Sequence, residues 1–200
     1  MRTRQILEAL GAIATIIFIA CLTCGCAARI PGDGRLVLVT ADETLANTTY
    51  PFKDANGNAG TIRVGDALRK GVHYWDALGA KLRTAEDITP EDGEPVATLH
   101  YKVASALDEL FVGADSWYST VDGDVHIPID RLGVRDTQEG FTDLTVTADL
   151  AHEAGHALGL MHISDTSALM YRAASWRDDL SASDKVEFCK TAIYAAGECP

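Results

Sequence analysis

The chain has 200 residues, 47% of them hydrophobic, with 17 basic against 29 acidic side chains and a formal charge of −12. That balance disfavours nucleic acid as a partner, because the phosphate backbone is bound by surplus Lys and Arg, and it suits a soluble surface. The length allows one domain with a sizeable core, and neither repeats nor a long low-complexity tract point to another organisation.

Arg2 and Arg4 precede an uncharged, mostly apolar run from Ala9 to Ala28, which reads as a signal peptide or a membrane anchor outside the fold. A run of 20 residues suffices to span a bilayer, and the arginines favour a cytoplasmic start. The remainder, residues 29–200, is expected to be exported, either extracellular or in the cell envelope. Cys26, between Gly25 and Ala27, is a lipidation candidate, although Thr23 stands where bacterial lipoprotein signals usually have leucine. Cys21 and plain cleavage after Ala28 are the alternatives.

Leu36-Val37-Leu38-Val39 predicts a first strand over Arg35–Thr40, inside a sheet. Asp54 to Gly60 predicts a loop. Its oxygen-rich start is like a calcium loop, but Ala59 replaces the tight-turn glycine and Gly65 the closing glutamate, so calcium is unsupported. Leu68, Val72, Trp75, Leu78 and Leu82 recur at helical spacing and predict a long amphipathic helix over 65–84, packed across the sheet. Further strands are expected over Val96–Val103, Leu110–Val112 and Ser116–Thr120, and then where Val125, Ile127 and Ile129 alternate.

The most specific segment is His152-Glu-Ala-Gly-His156-Ala-Leu-Gly-Leu-Met-His162. On a helix, positions 152 and 156 lie about 40° apart in azimuth and roughly 6 Å apart along the axis, so both rings reach one cation. Leu150, Ala154, Ala157 and Leu158 fall on the other side and predict the buried face. Gly159 can adopt the left-handed conformation that ends the helix, which frees His162 to supply a third nitrogen. Three protein ligands leave the fourth position of a zinc ion open, the hallmark of a catalytic site, and Glu153 stands beside it as a base for water.

With Ser167-Ala-Leu-Met170-Tyr171 following closely and Leu180-Ser-Ala-Ser-Asp184 after that, the chain resembles the metzincin metallopeptidases, and within them the matrixin-like branch, over roughly residues 141–195. The resemblance implies an α+β fold: a twisted mixed sheet, a packing helix, the zinc helix, a Met-turn and a C-terminal helix. It implies zinc on His152, His156 and His162, Glu153 as general base, and Met170 as a hydrophobic floor that is not a ligand. Arg172 departs from the proline usual after the Met-Tyr pair, so the pocket preference stays open. Tyr171 is given no catalytic role. Gly123-Asp-Val-His126 is similar to the matrixin strand after the substrate-facing edge, which puts that edge near Ser116–Thr120. The matrixin histidine matching His126 helps bind a second zinc; its other ligands have no evident counterparts, since His73 and His100 lie in amphipathic elements, and one zinc per chain is expected. Trp117, Tyr118 and Trp176 are cleft-lining or, more commonly for aromatics, core residues.

Cys189 and Cys199 alone remain after the leader, and two thiols near the end of an exported chain predict a disulfide tying the tail to the last helix; two free thiols are the alternative. The expected function is zinc-dependent endopeptidase action on a protein or peptide substrate, a zinc-bound water attacking with Glu153 as base. The rivals are an exported zinc hydrolase of a non-protein amide and a non-catalytic, membrane-anchored binding lipoprotein.

Overall fold

The computed structural model describes residues 30, 34–53, 58–105, 116–129, 132, 143–172 and 179–191. The apolar leader with Cys26, the strand expected at 110–112, Trp176 and Cys199 lie outside the described residues. Among the described residues no helix is long and apolar enough to cross a membrane.

The elements run β1 (Val37–Ala41), α1 (Glu43–Asn47), β2 (Thr49–Lys53), β3 (Ala59–Arg63), α2 (Val64–Asp76), β4 (Leu82–Thr84), β5 (Ala97–Val103), β6 (Trp117–Tyr118), β7 (Val125–Ile127), α3 (Asp143–Ala157) and α4 (Ala182–Thr191). Five strands form one mixed sheet in the order β4-β1-β5-β7-β6. The pairs β1–β4, β1–β5 and β5–β7 are parallel, and only the edge strand β6 runs antiparallel to its neighbour. β1 is thus interior, as its β-branched run predicts, with Val37 and Val39 buried. The fold is α+β with a mostly parallel sheet.

The β2–β3 hairpin was not foreseen. Ala59 and Gly60, expected in a loop, open β3 and pair with Lys53 and Phe52. The Tyr50 hydroxyl donates to the Ile129 carbonyl and fastens the hairpin beside the end of β7. The strand expected over Ser116–Thr120 shrinks to two residues, because Ser119 and Gly123 close a turn through the Gly123 N–H to Ser119 carbonyl bond at 2.8 Å.

The helix expected over 65–84 ends at Asp76. Gly79 takes φ 86°, and the N–H groups of Ala80 and Leu78 fold back onto the Trp75 carbonyl. Leu82, which fits the helical period, is buried instead in β4 opposite Val37. A buried leucine satisfies either element, and the left-handed glycine decides between them.

α2 presents Val64, Ala67, Leu68, Gly71, Val72 and Trp75 to the core. It approaches α3 tightly at Gly71, where a Cβ would meet the Thr147 carbonyl oxygen at 2.7 Å. A side chain at that position would force the two backbones apart there. The Trp75 indole N–H donates to Ala151 O at 2.9 Å, and the Tyr101 hydroxyl of β5 to Leu150 O at 2.8 Å. These bonds lock α3 to both the neighbouring helix and the sheet. The Phe188 ring of α4 stacks on Trp75 with centroids 5.9 Å apart and brings the last helix onto the same core. Cys189, on α4, is disulfide-bonded.

Candidate metal centre and active site

The face of α3 bearing Leu150, Ala154 and Ala157 is fully buried, with Leu158 just beyond it, and this fixes the direction of the other side. His152 and His156 follow at a four-residue interval and bring their ring centroids to 4.8 Å. After Ala157 the Gly159 N–H bonds the His156 carbonyl at 2.9 Å, and Gly159 turns with φ 95°. The chain then returns, and the His162 ring stands 4.8 Å from His156 and 5.3 Å from His152. One nitrogen from each ring falls within 4.8 Å of the other two, the one grouping of this kind among the described residues.

The hydrogen bonds assign the tautomers. His152 Nδ1 lies 2.7 Å from the Leu169 carbonyl oxygen, and His156 Nδ1 lies 2.8 Å from that of Leu160. A carbonyl only accepts, so each Nδ1 carries a proton, and Nε2 is the atom whose lone pair is available to a metal. The Nε2 atoms of His156 and His162 are 3.2 Å apart. Two nitrogens bound to one tetrahedral zinc at 2.0–2.1 Å are separated by about 3.3 Å, so the spacing matches shared coordination. Burial, with the neighbouring His156 adding to it, holds the pKa of both His152 and His162 down to about 4, which keeps these rings neutral at pH 7. Neutral imidazoles with carbonyl-held outer nitrogens are metal donors, and the site fits zinc.

Glu153, one residue along the helix, is buried. Desolvation raises its pKa, while nearby His156, the Ser116 hydroxyl and the Tyr118 backbone oppose that rise. Ser116 Oγ donates to Oε1 at 3.0 Å, but Oε2 is buried without a hydrogen-bond partner among the described residues. A buried carboxylate oxygen is costly to leave bare, and this one has the capacity to take a water's proton.

Beneath the helix lies Met170, fully buried. A Cβ on Gly155 would come within 2.4 Å of its sulfur, so the methionine packs directly against the helix at the residue before His156. The backbone around it is a hub. The Leu169 carbonyl holds His152, and the Met170 carbonyl accepts the Ile163 N–H at 2.9 Å, next to His162. The fully buried Asp184 accepts the N–H groups of Leu169 and Met170 at 2.8 and 2.9 Å. Asp184 was missed as a site residue in the sequence, although Ser181-Ala-Ser-Asp184 carries the signature of a capping box. Ser181 and Asp184 do cap α4 reciprocally, at 2.8 and 3.1 Å. Ser116 was missed too, and nothing in the sequence around it marks it.

The remaining histidines are engaged elsewhere. His126 stacks on Trp117 at 5.1 Å and meets Asp122 at 3.1 Å. His100 lies between Thr40 and Asp42, and His73 between Asp76 and Asp87. Trp117 thus turns away from α3, and Tyr118 is half-buried beside it.

The matrixin (peptidase M10) family model matches residues 42–187, which takes in every element from α1 onward, the three histidines and α4 up to Glu187, with β1 lying before the matched range. Interstitial collagenase B of Mus musculus is 31% identical over 140 residues, 66% of this chain and 29% of its own length. Interstitial collagenase A of the same organism is 30% identical over 123 residues, 50% of this chain and 24% of its own length. The chain therefore spans less than a third of either collagenase. Among solved structures, the GM1-bound form of the ECX AB5 holotoxin aligns over 74% of this chain and 70% of its own, at 16% identity and a TM-score of 0.40, a likeness too slight to argue from.

Proposed function

The chain belongs to the matrixin family, and from that premise we propose that it is a zinc-dependent endopeptidase that hydrolyses internal bonds of protein or peptide substrates. His152, His156 and His162 hold one zinc, and Glu153 is the general base. The observation that carries this reading is the pair of carbonyl-fixed tautomers, which leaves two Nε2 lone pairs converging with His162 on one point. Bound there, zinc supplies Lewis acidity, which activates a water near neutral pH and polarises the substrate carbonyl.

The remaining work falls to the chain. An extended peptide adds to the edge of β6, which among the described residues pairs only with β7. Glu153 Oε2 takes one proton from water as the oxygen bonds the carbonyl carbon, and gives that proton to the leaving nitrogen as the carbon–nitrogen bond breaks. One water is consumed, an acid and an amine are released, and the carboxylate is restored. Met170, in a Met-turn, keeps water from beneath the histidines. Residues 1–28 serve as the export signal or anchor, with Cys26 the candidate for lipidation, residues 29–200 form the catalytic domain, and Cys189 pairs with Cys199.

Digestion of a diverse peptide library by the zinc-loaded protein tests the proposal. Internal cleavage is expected, falling by about 10² to 10⁴ in Glu153→Gln with zinc content unchanged, since glutamine cannot accept and return the proton. A wild type that cleaves no peptide, or a glutamine variant that cleaves as fast, refutes it.

A further inference from the structure

We propose that Ser116 is a positioning residue for the base: its hydroxyl, donated from the end of the substrate-facing edge strand, clamps Glu153 Oε1 so that Oε2 is the oxygen presented to water. The inference rests on the peptidase reading. Tyr101, which bonds Leu150 of α3, pairs with Val125, so the next residue His126 and the Trp117 that pairs with it and stacks on it lie on the sheet face away from α3. Alternation along a strand then sends the side chain of Ser116 to the α3 side, where its Oγ sits 3.0 Å from Oε1. The opposite oxygen has no partner among the described residues.

A glutamate has a free terminal rotation that exchanges its two oxygens. A hydrogen bond from a neutral donor to one oxygen of a charged, buried carboxylate removes that freedom and distinguishes the two. Because the donor sits next to β6, a peptide seated on that edge would also steady the strand that holds the base. Binding and proton transfer are then mechanically linked through this end of the edge strand, by the Ser116 hydroxyl beside the Tyr118 backbone N–H that also bonds Glu153.

Three variants of the zinc-loaded protein, Ser116→Ala, Ser116→Thr and Glu153→Gln, test this by steady-state peptide cleavage and zinc analysis. Ser116→Ala should lower kcat about 10- to 100-fold with little change in KM and full zinc content. Ser116→Thr, which keeps a hydroxyl, should recover most of the rate. An undiminished kcat in the alanine variant, loss of zinc in it, or failure of threonine to recover the rate overturns the proposal.

A second readout needs no turnover. Acetohydroxamic acid binds a zinc site as its anion and yields its proton to the adjacent carboxylate. Its affinity should fall several-fold in Ser116→Ala and in Glu153→Gln, with no further loss in the double variant, because both changes break one unit. Additive losses overturn the proposal. A wild type that cleaves no peptide yet shows this coupling refutes the peptidase reading alone, whereas cleavage without coupling refutes the role of Ser116 alone.

Discussion

Asp184 reaches His152 through a single residue: its carboxylate accepts the Leu169 N–H at 2.8 Å, and the carbonyl of the same Leu169 accepts His152 Nδ1–H at 2.7 Å. The same carboxylate takes the Met170 N–H and the Ser181 N–H and hydroxyl, so four donors converge on one fully buried anion. The helix cap of α4 and the orientation of the His152 ring are thereby one structure.

Replacing that anion with its amide separates charge from shape. Asp184→Asn keeps one accepting oxygen but turns an NH₂ toward donors that already point inward, and breaking a buried charged network of this kind costs about 3–5 kcal/mol. The variant is expected to unfold at markedly lower urea concentration and to bind zinc more weakly, because the Leu169 carbonyl is no longer held. Urea unfolding read with and without zinc measures both; a stability within about 0.5 kcal/mol of wild type would be at odds with the network.

Gly155→Ala pits two effects against each other. Alanine is favoured over glycine inside a helix by about 1 kcal/mol. Against that, the new Cβ would lie 2.4 Å from Met170 Sδ and 2.7 Å from Trp75 Cζ2. Methionine can shift, but Trp75 is fixed by its N–H bond to Ala151 and by Phe188 on its face. Overpacking of this kind costs about 1–3 kcal/mol, and relief by displacing Met170 would disturb the Leu169 carbonyl and so His152. Net destabilisation is expected, with reduced zinc retention during dialysis against a weak chelator. A more stable variant with full zinc content would contradict it.

These two residues also show where the sequence is legible. The His152–His162 spacing, the terminating Gly159 and the buried face of α3 can be read directly, because a helical period and a left-handed glycine are local constraints. The long helix over 65–84 was misread past Asp76 since Leu82 fits the helical period as well as it fits a strand, and only pairing with Val37 distinguishes them. Ser116 and Asp184 act across 37 and 15 residues of chain, on Glu153 and on Leu169. Contacts of that range have no periodicity, and capping chemistry in the sequence shows why Asp184 starts a helix but not which turn it also holds.

The tautomers predict an acid limit for the metal-free protein. His152 is neutral in the fold, its pKa pushed from 6.5 to about 4 by burial, with the neighbouring His156 contributing. In the unfolded chain it takes a proton near its ordinary value, so below about pH 6.5 unfolding gains a proton and stability falls with pH until the folded ring also protonates near 4. At about 1.4 kcal/mol per pH unit the full loss is on the order of 3 kcal/mol. Glu153 acts in the opposite sense, because burial raises its pKa and favours the protonated fold in acid. Comparison with His152→Gln isolates the histidine: chelator-treated wild type should lose more stability between pH 7 and 4 than the variant, and zinc should steepen the acid transition by competing with protons for the same nitrogens. Parallel stability profiles for the two metal-free proteins would show that His152 is not held neutral by the fold.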